Sequence, residues 1–279
     1  MGRNKLLEIT PDDRPIGLFD SGIGGLTVLR SLMDKFPHES FVYLGDTARL
    51  PYGSKSPKTI ERYLLQNIEF LIKANVKAII VACNSASTAL LDHDHGFELP
   101  VYNVIEPGAK AAIAASSTKR IGVIGTNATI HANSYAERLM RIDQEVVVFQ
   151  QACPLLVPLV EEGWEDDPLT NLIIYRYLHH LLEKEIDTLI LGCTHYPALR
   201  GGIGRVVGSN MHLIDSSDAI ATLLLEDFAA GRIGTRKINP LELRSLKLLT
   251  TDVSQGFSDV AMRLMRPHKI PALQAVDLA

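Results

Sequence analysis

Short, uninterrupted apolar runs alternate along this chain with longer stretches in which apolar residues recur every three or four positions. The runs at 15–19, 41–44, 78–82, 121–124, 146–149 and 188–191 are four or five residues long, rich in Val, Ile and Leu, and mostly followed by small or polar residues. Such runs predict buried strands. Between them, the spacing predicts a helix over 57–74 with Ile60, Leu64, Ile68, Leu71 and Ile72 on one face. A second helix is predicted over 169–185, with Leu172, Ile173, Leu178 and Leu182 turned inward. Repeated strand–helix alternation predicts an α/β fold of mainly parallel sheets covered by helices on both faces.

The pattern also repeats. Residues 14–21 (RPIGLFDS) resemble 119–126 (KRIGVIGT), 105 positions later, and 41–46 lie against 146–151 at the same offset. Residues 77–84 (KAIIVACN) resemble 187–194 (DTLILGCT) at an offset of 110. Each half therefore has an early strand ending near a hydroxyl residue and a later strand ending in cysteine. Three matches in order predict two similar α/β domains facing each other. Ligands of open α/β sheets bind beyond the carboxyl ends of the strands. Asp20, Ser21, Asp46, Cys83, Asn84, Thr126, Cys193 and Thr194 are expected there, with Cys83 and Cys193 approaching one cleft from opposite sides.

Composition narrows the class. The chain of 279 residues is 46% apolar and 22% charged, as in ordinary globular proteins, with room for two domains. A net charge of −4 supplies no general field for nucleic acid, so an anionic ligand must be held by local groups. No apolar run is long enough to span a membrane, and the N-terminal residues lack the apolar core of a signal peptide. Three cysteines without a CxxC pair argue against a disulfide scaffold or structural zinc. A cytoplasmic, reduced protein with free thiols is expected.

Residues 19–27 (FDSGIGGLT) form a glycine-rich turn after a strand, which suits anion binding by backbone N–H groups. The segment is neither a Walker A loop nor a complete GxGxxG, because Thr27 stands where the third glycine would be. Cys83 and Cys193 carry more chemistry. Both stand between a strand and a predicted helix, where free amides and the helix dipole are expected to lower a thiol pKa. Both are followed by hydrogen-bonding side chains. Two such thiols, one ionised and one not, can remove a proton from one face of a carbon and return one to the other. Cys153, before Pro154, is expected to be an inert core residue. The clusters 93–95 (HDH) and His179-His180 lack metal-ligand spacing and are read as solvated or structural, and 161–167 (EEGWEDD) as an acidic loop.

At these residues the sequence resembles glutamate racemases, within the cofactor-independent aspartate/glutamate racemase superfamily. The matching segments are 16–25 (IGLFDSGIGG), 43–54 (YLGDTARLPYGS), 81–85 (VACNS), 154–163 (PLLVPLVEEG) and 191–197 (LGCTHYP). His195 is the most diagnostic, since aspartate racemases usually have an acidic residue there. One departure is Ser85, where the family commonly has threonine. The resemblance implies interconversion of L- and D-glutamate, with no cofactor and no metal, supplying D-glutamate for peptidoglycan synthesis. Cys83 would take the α-proton from D-glutamate and Cys193 from L-glutamate, assisted by Asp20 and His195 respectively. Asp20, Ser21, Tyr52, Gly53, Asn84, Ser85, Thr126, Thr194 and His195 would bind substrate, with Asp46 and Glu161 in support. Two domains, 12–106 with 215–279 and 107–214, would enclose the active site in a homodimer without nucleic-acid or membrane partners. The alternatives are an aspartate or hydantoin racemase, or a two-domain small-ligand binding protein.

Overall fold

The computed structural model describes residues 11–91, 95–237 and 244–278. In chain order its strands are β1 (Ile16–Asp20), β2 (Phe41–Gly45), β3 (Ala78–Val81), β4 (Val101–Asn103), β5 (Arg120–Gly125), β6 (Val147–Ala152), β7 (Thr188–Gly192), β8 (His212–Asp215), β9 (Leu246–Thr250) and β10 (Gln274–Ala275). They make two sheets, ordered β10-β9-β2-β1-β3-β4 and β6-β5-β7-β8, and every pairing is parallel.

The two sheets share one topology, β2-β1-β3-β4 matching β6-β5-β7-β8. The register supports the sequence repeat at one point and adjusts it at another. Ile16 pairs with Ala78 and Ile121 with Thr188, which keeps the offset of 110 and makes Cys83 and Cys193 equivalent. Ile16 pairs with Phe41, however, while Ile121 pairs with Val148, so Phe41 corresponds to residue 148 and not 146. A slip of two residues preserves which side chains face each side of the sheet.

Central strands are buried on both faces. In β7, Leu189 and Leu191 enter a core that also holds Leu29, Leu32 and Leu224, while Ile190 enters a separate core with Ala109, Tyr135 and Leu139. The helix Ser216–Ala229 packs against both Leu26–Lys35 and Ile105–Ala115, joining the halves. Strands β9 and β10 bring the C-terminal segment back to extend the first sheet beyond β2.

Four strands, β4, β8, β9 and β10, are absent from the sequence reading. They are short or lie toward sheet edges, where burial is partial and the continuous apolar signal fades. The run 146–149 is not a buried strand: β6 starts at Val147, lies at a sheet edge, and is only half-buried. The helix Pro57–Lys73 begins as predicted, capped by Ser56 with proline in its first turn, but Ile72 is 41% exposed. The helix Pro168–Leu182 buries Leu178 as expected, together with Thr170, Ile174 and Leu181; Ile173 and Leu182 are only partly buried, and Leu172 is 66% exposed. At 3.6 residues per turn, Leu172 lies on the far side from Thr170 and Ile174. Of the cluster 93–95, His93 and Asp94 lie outside the described residues. His179 is exposed and His180 partly so.

Candidate active site

The carboxyl ends of both sheets meet around a small cavity. From the first sheet come Ser21 and Gly22 after β1, residues 50–53 after β2, and Cys83, Asn84 and Ser85 after β3. From the second come Thr126 after β5, Val157 and Glu161 after β6, and Cys193, Thr194 and His195 after β7. Cys83 and Cys193 thus line one cavity, as the repeat predicts. Cys153 does not; it is fully buried in the core beneath.

The halves touch directly at the cavity. Ser85 Oγ and Thr126 Oγ1 share a hydrogen bond of 2.8 Å, Thr27 Oγ1 donates to the Thr194 carbonyl at 2.9 Å, and Thr194 Oγ1 donates to Asp20 Oδ1 at 3.2 Å. Two glycines permit this closeness. A Cβ on Gly24 would lie 2.4 Å from His195 Nδ1, and one on Gly53 would lie 2.6 Å from Thr126 Cβ.

Asp20 and Asp46, expected among the site residues, sit behind the wall and not on it. Asp20 Oδ2 accepts from the Gly22 N–H at 3.0 Å, so the carboxylate holds the turn that carries Ser21. Asp46 anchors the loop bearing Tyr52 and Gly53. It accepts hydrogen bonds from the Tyr52 hydroxyl, from Arg49 Nε at 2.7 Å and from Thr251 Oγ1 at 3.1 Å. Thr251 also accepts from the Ala48 N–H at 2.9 Å.

The two thiols have different surroundings. Cys83 directly precedes the helix Asn84–Leu91, and the Ala86 N–H and Ser21 favour its thiolate as the sequence suggests. Burial outweighs them and the Asp20 charge adds to it, so the thiol is pushed up to about 12. The expected lowering is therefore overturned at Cys83 by desolvation. Its Sγ lies 3.6 Å from Ser21 Oγ.

Cys193 precedes a turn and a short 3-10 helix, Tyr196–Leu199, with Pro197 in its first turn. Its Sγ lies 3.9 Å from His195 Nδ1, and His195 Nε2 lies 3.3 Å from Glu161 Oε1. Burial alone would lower the His195 pKa, but Cys193 and Glu161 together override it and push the imidazole up to about 10. An imidazolium beside Cys193 is the counter-charge that a thiolate there requires.

No Lys or Arg lines the cavity, so among the described residues the donors facing a bound anion are neutral groups and the His195 imidazolium. Among those residues, no cluster of three or more His, Cys, Asp or Glu side chains is arranged to hold a metal, and no helix is long and apolar enough to cross a membrane.

The sequence model of the Asp/Glu/Hydantoin racemase family matches residues 27–224. The chain belongs to this racemase family. It is an isomerase of the amino-acid racemase class. It is 44% identical over 270 residues to a glutamate racemase of Syntrophus aciditrophicus (strain SB), covering 96% of this chain and 98% of that one. Its fold is similar to the crystal structure of glutamate racemase isoform RacE1 from Bacillus anthracis, with a TM-score of 0.88, 36% identity, and 95% and 98% of the two chains covered. A glutamate racemase from Francisella tularensis, crystallised in complex with D-glutamate, gives a TM-score of 0.86 at 35% identity, covering 95% of this chain and 98% of that chain.

Sequence reasoning missed several residues that shape this racemase's cavity. Leu50, Pro51 and Val157 line it; Thr27, Arg49, Asn67, Tyr135 and Thr251 hold its walls. Leu50 and Pro51 fall inside a recognised segment and could have been included. Tyr135 and Thr251 carry no local signal, because their partners are distant in the chain.

Proposed function

We propose that this racemase interconverts L- and D-glutamate by a two-base mechanism. The observation that carries this reading is that Cys83 and Cys193, at equivalent strand ends of two repeated halves, line one cavity. Inverting a stereocentre needs a base on one face of the carbon and an acid on the other, and the repeat supplies both.

The different surroundings of the thiols support different roles for them. A thiol with a pKa of about 12 is ionised to only about one part in 10⁵ at pH 7, so Cys83 rests as an acid. In this reading Cys193, with the His195 imidazolium 3.9 Å from its Sγ, acts as the base on the other face. For L-glutamate, the Cys193 thiolate takes the α-proton and leaves its electron pair on the α-carbon and carboxylate. The Cys83 thiol then delivers its proton to the opposite face. Cys193 ends as thiol and Cys83 as thiolate, the state from which D-glutamate reacts in reverse. The substrate ammonium brings positive charge that offsets Asp20 and eases ionisation of Cys83.

Ser21, Asn84, Ser85, Thr126 and Thr194, with Tyr52 and Gly53, would hold the carboxylates through neutral donors. Such preorganised dipoles stabilise the carbanion most in a site closed to water. Asp20 and His195 assist the two thiols, with Asp46 in support from behind the wall and Glu161 from within it. The domains divide as 12–106 with 215–279 and 107–214. The enzyme works as a cytoplasmic homodimer, without nucleic-acid or membrane partners, and supplies D-glutamate for peptidoglycan precursors.

The test is incubation with L- or D-glutamate in D2O, under reducing conditions with EDTA and no added cofactor. Deuterium is expected at the α-position as the opposite enantiomer appears. Absence of exchange with either enantiomer overturns the reading, and exchange confined to aspartate or a hydantoin reassigns the substrate.

A further inference from the structure

Tyr135, on the helix Ser134–Ile142 of the second half, reaches across to the first half. Its hydroxyl donates a 2.7 Å hydrogen bond to Asn84 Oδ1. Both residues are buried, and Asn84 follows Cys83 directly in the cavity wall. The other end of the amide is unusual. Asn84 Nδ2 is buried and has no hydrogen-bond partner among the described residues. A buried N–H donor left unpaired is costly, and such an atom beside a cavity marks a place for an acceptor.

The phenol decides which end of the amide faces the cavity. Burial keeps Tyr135 protonated, with the nearby Asp215 and Cys193 acting in the same direction. Its proton needs an acceptor, and Asn84 Oδ1 is the one present among the described residues. Reversing the amide would strand that proton as well as the carbonyl. The ring itself is tightly seated: a Cβ on Gly192 would lie 3.2 Å from Tyr135 Cε2, and one on Gly108 would lie 3.3 Å from the hydroxyl. Gly192 immediately precedes Cys193. Tyr135 therefore braces the strand end that carries one thiol while fixing the side chain that follows the other.

We propose that Tyr135 is a positioning residue that locks the Asn84 amide so that its NH2 group meets a carboxylate oxygen of the bound amino acid. This rests on the reading that the cavity takes glutamate. A free amide would rotate between two orientations, one of which presents a carbonyl oxygen to the carboxylate and repels it.

Tyr135→Phe keeps the ring and removes the hydroxyl. The KM for glutamate is expected to rise about tenfold, as for one lost hydrogen bond, while kcat falls less than about threefold. Adding Tyr135→Phe to Asn84→Ala is expected to change KM by less than about twofold, because the two act through one contact. A KM within about twofold of wild type, or full multiplicative effects in the double variant, overturns the proposal. A reading that needs no Tyr135 variant uses the wild-type side-chain NH2 resonance of Asn84, assigned by its absence in Asn84→Asp. It is expected to shift when D-glutamate is added, and an unmoved resonance in protein that racemises glutamate overturns the proposal. If the wild type neither binds nor racemises glutamate, the substrate reading fails instead.

Discussion

Thr194 donates a hydrogen bond of 3.2 Å to Asp20, a residue 174 positions earlier in the chain. The contact ties the residue after Cys193 to the strand end that carries Ser21, the neighbour of Cys83. One buried carboxylate thus touches both sides of the cavity, and it raises the Cys83 pKa on top of the larger effect of burial.

Asp20→Asn keeps the shape and removes the charge. The Cys83 thiol should then ionise more readily, by roughly tenfold or more in its ionisation constant. Thiolate absorbance against pH in a Cys153→Ala, Cys193→Ala background measures it. An unchanged titration would show that the Asp20 charge does not reach Cys83.

Cys83→Ala and Cys193→Ala should each lower racemisation by at least about 10³-fold, because each removes the acid or base on one face. Cys153→Ala should keep near-normal turnover and lose about 1 kcal/mol of stability to the small cavity it creates. Polarimetry and denaturant unfolding separate the two effects. An inactive, normally folded Cys153→Ala protein would overturn the assignment of roles.

His195 sets a pH window. Its pKa is raised in the folded state to about 10 from an ordinary 6.5, so its contribution to stability is complete below about pH 6.5 and lost as pH rises through about 10. Activity with L-glutamate should fall over the same upper limb as the imidazolium is lost. Glu161→Gln removes one of the two charges that raise the pKa, so the imidazole should titrate lower. NMR of the His195 ring protons follows it; a ring already neutral at pH 8 in the wild type contradicts the prediction.

Thr251→Val removes the hydroxyl that Asp46 and Ala48 share, with little change of volume. Thr251 does not line the cavity, but the loop it fastens carries Tyr52 and Gly53. KM for glutamate should rise several-fold while the thiol titrations stay put, and the cost in stability should be about 1–2 kcal/mol. Steady-state kinetics beside a thermal melt test this, and unchanged kinetics would remove Thr251 from any positioning role.

The legible parts of this fold are those fixed by burial on both faces. Strands β1, β2, β3, β5 and β7 are buried along nearly their whole length, and their Val, Ile and Leu runs show it. The edge strand β6 shares that composition and is misread as buried, since one strand's residues do not record whether a neighbour covers it. Leu172 fails for a similar reason: an apolar residue on a helix does not by itself say which face meets the core.

The sequence by itself determined the doubled α/β plan, the equivalence of Cys83 with Cys193, and the strand-end residues Ser21, Asn84, Thr126 and Thr194 beside them, because strand composition and strand-end chemistry are local; Tyr52, Gly53 and Glu161 came from the family resemblance. Only the tertiary structure decided how those residues behave. A cysteine before a helix N-terminus is expected to have a lowered pKa, yet burial and the Asp20 charge push Cys83 the other way. Tyr135 meets Asn84 across 51 positions and Thr251 meets Asp46 across 205. Desolvation and long-range hydrogen bonds depend on what the folded chain brings together, and no local pattern encodes them.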